Sequence, residues 1–262
     1  MIGRAYRIAQ ILSIDIVIGA VILLRFFCVQ FGVKPGWEVY ALLGGTVWLI
    51  YTADHLRDAT SQIESNRERY LFHKKHRKLL IVLASVMLCL MTVLLFFIPV
   101  VILKGGVALA SLSFIYLLVQ YRLSRYLSKE FYVALIYSLG ILMVPMVLSE
   151  MYDWSVFLLL FLLTFINLIL FSWFEKNEDS VDGFLSIATE LSEKKLEKLI
   201  LILLSIGIAI SLLLLNLMAF YFFLGFFTYG LMAIYPTWFN TNQRYRSIGD
   251  GVFLVPILFE WL

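Results

Sequence analysis

The chain has 262 residues, of which 62% are hydrophobic and 15% charged, and a formal net charge of +3; its mean hydropathy is +0.92. That balance excludes a soluble globular domain, which needs far more polar surface at this length, and points to a polytopic membrane protein. The basic residues stand in short loops beside apolar runs, so they read as topology signals and anionic-lipid contacts, and no nucleic-acid partner is expected.

A spanning helix needs about 20 mostly apolar residues. The runs that qualify, in chain order, are 8–28, 37–56, 79–99, 105–121, 131–149, 154–174, 196–215, 217–236 and 247–262. They predict an all-α chain of nine transmembrane helices, with no separate soluble domain. Of 21 Lys and Arg, all but Arg25, Lys34 and Lys104 fall in the N-terminal tail, in the loops after spans two, four, six and eight or, for Lys198, in the first turn of span seven. The positive-inside rule therefore puts the N-terminus in the cytoplasm. The first span lacks a small-x-small cleavage site, so no signal peptide is expected. Cys28 and Cys89 fall at different depths, so no disulfide is expected.

Span one carries Asp15, which either faces a cavity or pairs with a basic loop residue. Span two closes on Asp54-His55-Leu56-Arg57-Asp58. Positions i and i+4 share a helix face, so Asp54 and Asp58 project together while His55 points off that face. The polar stretch 57–78 follows, long enough for a short helix at the interface. Lys104-Gly105-Gly106 and Asn216 mark tight hairpins. After span four stand Tyr116, Tyr121, Arg122, Arg125 and Lys129. Span six carries Asn167, an expected interhelical hydrogen bonder, and runs into Glu175, Glu178, Asp179 and Asp182. Those four form one stripe at i, i+3, i+4 and i+7, and open the second polar stretch, 175–195. Span nine begins Gly249-Asp250-Gly251, with Asp250 expected at the interface.

Acidic groups at a membrane boundary are costly and need a partner. Like charges at helical spacing destabilise by about 0.2–0.5 kcal/mol per pair, and a bound divalent cation removes that cost. Carboxylate oxygens suit Mg²⁺, which keeps several waters and bridges to phosphate oxygens. Two carboxylate pairs on separate helices therefore point to a cation–diphosphate site, with Asp54, Asp58, Glu175, Glu178 and Asp179 as metal ligands. The plainer alternative is a pair of ordinary helix ends, in which Arg57 and Lys176 neutralise their neighbours.

These residues carry a resemblance. Phe171, Glu175, Asp179, Gly183, Ser186 and Ala188 are similar to the second signature of the UbiA-type intramembrane prenyltransferase superfamily: an aromatic residue, D-x-x-x-D, then Gly, Ser or Thr, and Ala at fixed offsets. The stretch Ile50–Asp58 resembles its first signature, N-D-x-x-D-x-x-x-D, with Ile50 and Tyr51 in place of the Asn-Asp pair. Glu175 replaces the leading Asp of signature two. The resemblance implies one UbiA-like bundle over 1–262, around a central cavity, with cytoplasmic cap loops at 57–78 and 175–195. It implies transfer of a prenyl group from a polyprenyl diphosphate to a hydrophobic acceptor, aromatic or lipid, with Mg²⁺ as cofactor. Asp54, Asp58, Glu175 and Asp179 would be catalytic. Arg57, Tyr116, Tyr121, Arg122, Arg125, Lys129 and Asp182 would bind substrate. The expected setting is a bacterial inner membrane, with membrane lipids as partners and no obligate protein partner. The competing expectation is a non-catalytic lipid-binding or transporter-like relative of the same fold.

Overall fold

The computed structural model describes residues 2–61, 67–123, 129–182 and 186–259. Over these residues the chain is all-helical apart from short connections and contains no strand. The elements are α1 (Ile2–Ile11), α2 (Ile14–Gln30), α3 (Trp37–Ser61), α4 (Glu68–Lys75), α5 (Arg77–Leu94), α6 (Val100–Leu123) and α7 (Lys129–Ser149). Then come α8 (Trp154–Phe174), α9 (Lys176–Asp182), α10 (Ile187–Glu190), α11 (Glu193–Leu214), α12 (Leu217–Ile234), α13 (Pro236–Asn240) and α14 (Arg244–Gly251). Short 3₁₀ segments follow α5, α13 and α14.

Among the described residues, five helical segments are long and apolar enough to cross a membrane: Arg77–Phe97, Lys129–Ser149, Trp154–Phe174, Glu193–Leu214 and Leu217–Ile234. They are compatible with an integral membrane protein. Two of the expected runs take another form. The run 8–28 is broken at Ser13, whose φ of 56° lies in the left-handed region that helices do not continue through. The break is held from outside, because the buried Ser13 hydroxyl lies 3.1 Å from His55 Nε2 on α3. The run from 247 is not one α-helix either. It is the end of α14 continued by a 3₁₀ segment, Val252–Phe259, with Pro256 inside it. Proline has no N–H to donate and crowds the preceding turn, which disfavours regular α-helix there, although α7 carries Pro145 within it.

Local chemistry sets the other ends. The Asp153 carboxylate accepts from the Ser155 and Val156 N–H groups at 3.0 and 3.2 Å and starts α8. Leu215 is left-handed, at φ 45°, and ends α11. Asn216 then accepts from Ala219 N–H at 2.8 Å and starts α12. The α11–α12 hairpin closes tightly because Gly207 faces Phe226; a Cβ there would come within 2.5 Å of the ring. Small residues at membrane helix contacts permit this approach.

The core centres on α8. Leu159, Leu163, Ile166 and Leu170 have no exposed surface, and α7, α11, α12 and α14 pack around the helix. The chain end, α14 with its 3₁₀ extension, tucks between α2, α8 and α12. By contrast α5 is peripheral, with Leu83, Val86 and Leu90 exposed along it. An apolar helix left open like this has no role in water and is at home against lipid tails.

Candidate functional site: two acidic clusters and their arginines

The first cluster lies in the last turns of α3. Arg57 donates to Asp54 Oδ1 at 2.8 Å and lies 3.7 Å from Asp58. Lys129, at the start of α7, reaches Asp54 Oδ2 at 3.8 Å. Asp58 is buried. Burial raises its pKa above the usual carboxylate value, and the Asp54 charge adds to the rise; Lys129, Arg57 and Arg69 oppose it.

The second cluster lies where α8 turns into α9. Glu175 caps α8, and Asp179 N–H bonds back to the Glu175 carbonyl at 2.8 Å. The expected stripe therefore continues through a bend. Arg67, the residue before α4, donates to Asp179 Oδ1 at 2.9 Å and to Glu175 Oε2 at 3.5 Å. The same guanidinium lies 3.6 Å from Glu178. On the other side Arg246 of α14 donates to Glu175 Oε1 at 2.7 Å. The Tyr245 hydroxyl donates to the same oxygen at 3.3 Å. Burial, then the Glu175 charge, pushes the Tyr245 phenol up to about 12. Burial is the largest influence on Arg246 and opposes its charge; Glu175 and Tyr245 together outweigh it and raise its pKa. Lys176 donates instead to the Leu191 carbonyl, at 3.3 Å, away from its acidic neighbours.

The two clusters are linked. Arg67 comes from the chain that follows α3, and α4 packs back on α3. Asp54 and Asp250 both act electrostatically on Tyr51, and Glu175 acts on Asp250. Asp250 lies on α14, which packs against α2 and α8. His55 takes no part with the carboxylates. It faces Ser13 and stacks edge-on against His73, ring centroids 5.0 Å apart.

Arg125 lies outside the described residues. Tyr116, Tyr121, Arg122 and Asp182 lie on described helices, but their side chains are outside the described part. Three residues of the site carried no signal in the sequence reading: Arg67, Tyr245 and Arg246. The i, i+4 spacing of Arg246 and Asp250 was the one available clue. Another is Glu130 on α7, buried, whose Oε1 accepts from Ser172 Oγ at 2.9 Å and from Ile187 N–H at 3.0 Å. It ties the ends of α7 and α8 to α10.

Hard carboxylate oxygens at i, i+4 are the right kind of donor for Mg²⁺. Their present partners are guanidinium groups, and among the described residues no three acidic, histidine or cysteine side chains gather closely enough to hold a metal ion. A metal here would displace Arg67 from Glu175 and Asp179.

No family model, no curated protein and no solved structure matches the chain.

Proposed function

We propose that the chain is an intramembrane transferase that moves a prenyl group from a polyprenyl diphosphate to a hydrophobic acceptor. In this reading nine membrane passes surround a cavity at the cytoplasmic side, and the N-terminus lies inside. The observation that supports it is Arg67: the loop leaving one acidic cluster supplies the cation of the other, so one anionic ligand can engage both. Asp54, Asp58, Glu175 and Asp179 would hold Mg²⁺. When bound, the metal would neutralise diphosphate oxygens as charge develops on the leaving group. Arg57, Arg67, Lys129 and Arg246 would steady that charge directly, and a guanidinium's planar fork suits phosphate. The pocket formed by Lys74, Lys75, His76, Arg77 and Lys78 at the α4–α5 junction fits anionic lipid headgroups. The test is binding of a non-hydrolysable prenyl thiodiphosphate with and without Mg²⁺. Metal-dependent binding is expected; its absence in both conditions would end the reading.

One observation favours the second reading, a non-catalytic lipid-binding or transporter-like protein. Both oxygens of Glu175 are already engaged by arginines. That reading predicts metal-independent binding of the same probe.

A further inference from the structure

Three carboxylates converge on one guanidinium. Arg67 Nη2 donates to Asp179 Oδ1 at 2.9 Å, and Nη1 lies 3.5 Å from Glu175 Oε2. Nε of the same side chain lies 3.6 Å from Glu178 Oε2. Only the first of these is a short hydrogen bond; the other two are at or beyond the outer limit. Arg67 therefore occupies the oxygens that a divalent cation would need, and holds two of the three loosely. Arg246 is placed differently. It meets a single oxygen of Glu175, at 2.7 Å, and its Nε also donates to the Tyr245 hydroxyl at 3.3 Å.

Charge and backbone make Arg67 the exchangeable member. Glu175, Glu178 and Asp179 carry three negative charges against the two positive charges of Arg67 and Arg246, so these five groups keep one negative charge. Lys176 does not cancel it, since its ammonium turns to the Leu191 carbonyl. A divalent cation is drawn to that excess, and it brings two charges where the guanidinium brings one. The backbone permits the exchange. Arg67 precedes α4 at φ −63° and ψ 127°, outside the helix. Its carbonyl accepts from the Tyr70 and Leu71 N–H groups at 3.0 and 3.1 Å, and the buried Tyr70 and His73 anchor α4. The Arg67 side chain can swing away while α4 stays in place.

We propose that Arg67 is an autoinhibitory counter-ion: a divalent cation displaces its guanidinium from Glu175, Glu178 and Asp179, and the freed guanidinium, still tethered beside the cluster, then serves the anion that follows. The inference rests on the transferase reading's metal at Glu175 and Asp179, and adds an order to it, cation before anion. While Arg67 is engaged by carboxylates, its fork of donors is closed to phosphate oxygens; the exchange opens it.

The experiment is binding of Mn²⁺ to the full chain in lipid nanodiscs, read by its paramagnetic resonance signal, with no prenyl compound present. Arg67→Gln is expected to bind Mn²⁺ at least about tenfold tighter than the unaltered chain, the factor one contact to a charged group supplies. Arg67→Lys keeps a competing charge and is expected to stay closer to the unaltered chain. Arg244→Gln removes a nearby cation that faces the Trp238 ring at 4.4 Å, and is expected to leave the affinity unchanged. A second measurement needs no variant. Phenylglyoxal modification of Arg67, read by mass spectrometry, is expected to quicken on Mn²⁺ saturation, because the side chain is only 14% exposed at rest. Equal affinity in Arg67→Gln and the unaltered chain, an equal gain in Arg244→Gln, or unchanged modification at saturation would overturn the inference and leave the metal reading standing. No Mn²⁺ binding to any of these chains would overturn both.

Discussion

Arg67 places one guanidinium against Glu175, Glu178 and Asp179, with its own side chain only 14% exposed. Removing one member of a buried ion pair is costly because the partner keeps its charge without compensation. These groups are not fully dry, so a smaller effect than for a sealed pair follows: Arg67→Ala should cost about 1–3 kcal/mol. Chemical unfolding in detergent measures it, and Arg67→Lys should recover only part, since an ammonium lacks the planar fork. Asp58 has the opposite sense. Its folded pKa is raised, so its contribution to stability is present at low pH and is lost as pH rises through that pKa. Asp58→Asn should therefore be more stable than the unaltered chain at about pH 7, with the difference shrinking toward about pH 4. A thermal-unfolding series against pH reads the sign. The carboxylates were legible from the sequence because i, i+4 spacing on a helix end is a local pattern. Arg67 and Arg246 were not, because each meets Glu175 from far along the chain, and only tertiary packing selects two cations from 21 Lys and Arg.

At the scale of elements, the long apolar runs were readable and their ends were less so. Composition marks a helix but not where a neighbour breaks it, as His55 does by holding Ser13 at the α1–α2 junction. The last segment was misread for a related reason. The expected continuous helix from 247 is α14 followed by a 3₁₀ segment, and α14 packs against α8. Two predictions belong here. Gly207 faces the Phe226 ring, so Gly207→Val should overpack the α11–α12 hairpin and destabilise by about 1–3 kcal/mol; Phe226→Ala in the same chain should restore part of the loss. Val86 is exposed near the middle of α5. If α5 lies against lipid, Val86→Arg should disfavour insertion by about 2.5–3.5 kcal/mol, the cost of a charge at a helix centre. A glycosylation-mapping insertion assay would report it, and an unchanged inserted fraction would argue that α5 lies outside the bilayer.

Across the whole molecule, the central claim is that α3 and the α8–α9 bend serve one anion. Arg67, the residue before α4, makes this possible, because it reaches Glu175 and Asp179 while α4 packs on α3. Groups that act as a unit are strongly non-additive when removed. The most direct measurement is binding of a prenyl thiodiphosphate, with Mg²⁺, to Asp58→Asn, Asp179→Asn and the double variant. Each single change should weaken binding at least about tenfold, the order expected for one charge-assisted contact, and the double variant should be little worse than the weaker single. Binding equal to that of the unaltered chain in both single variants would contradict the claim and leave the acidic clusters as two separately neutralised helix ends.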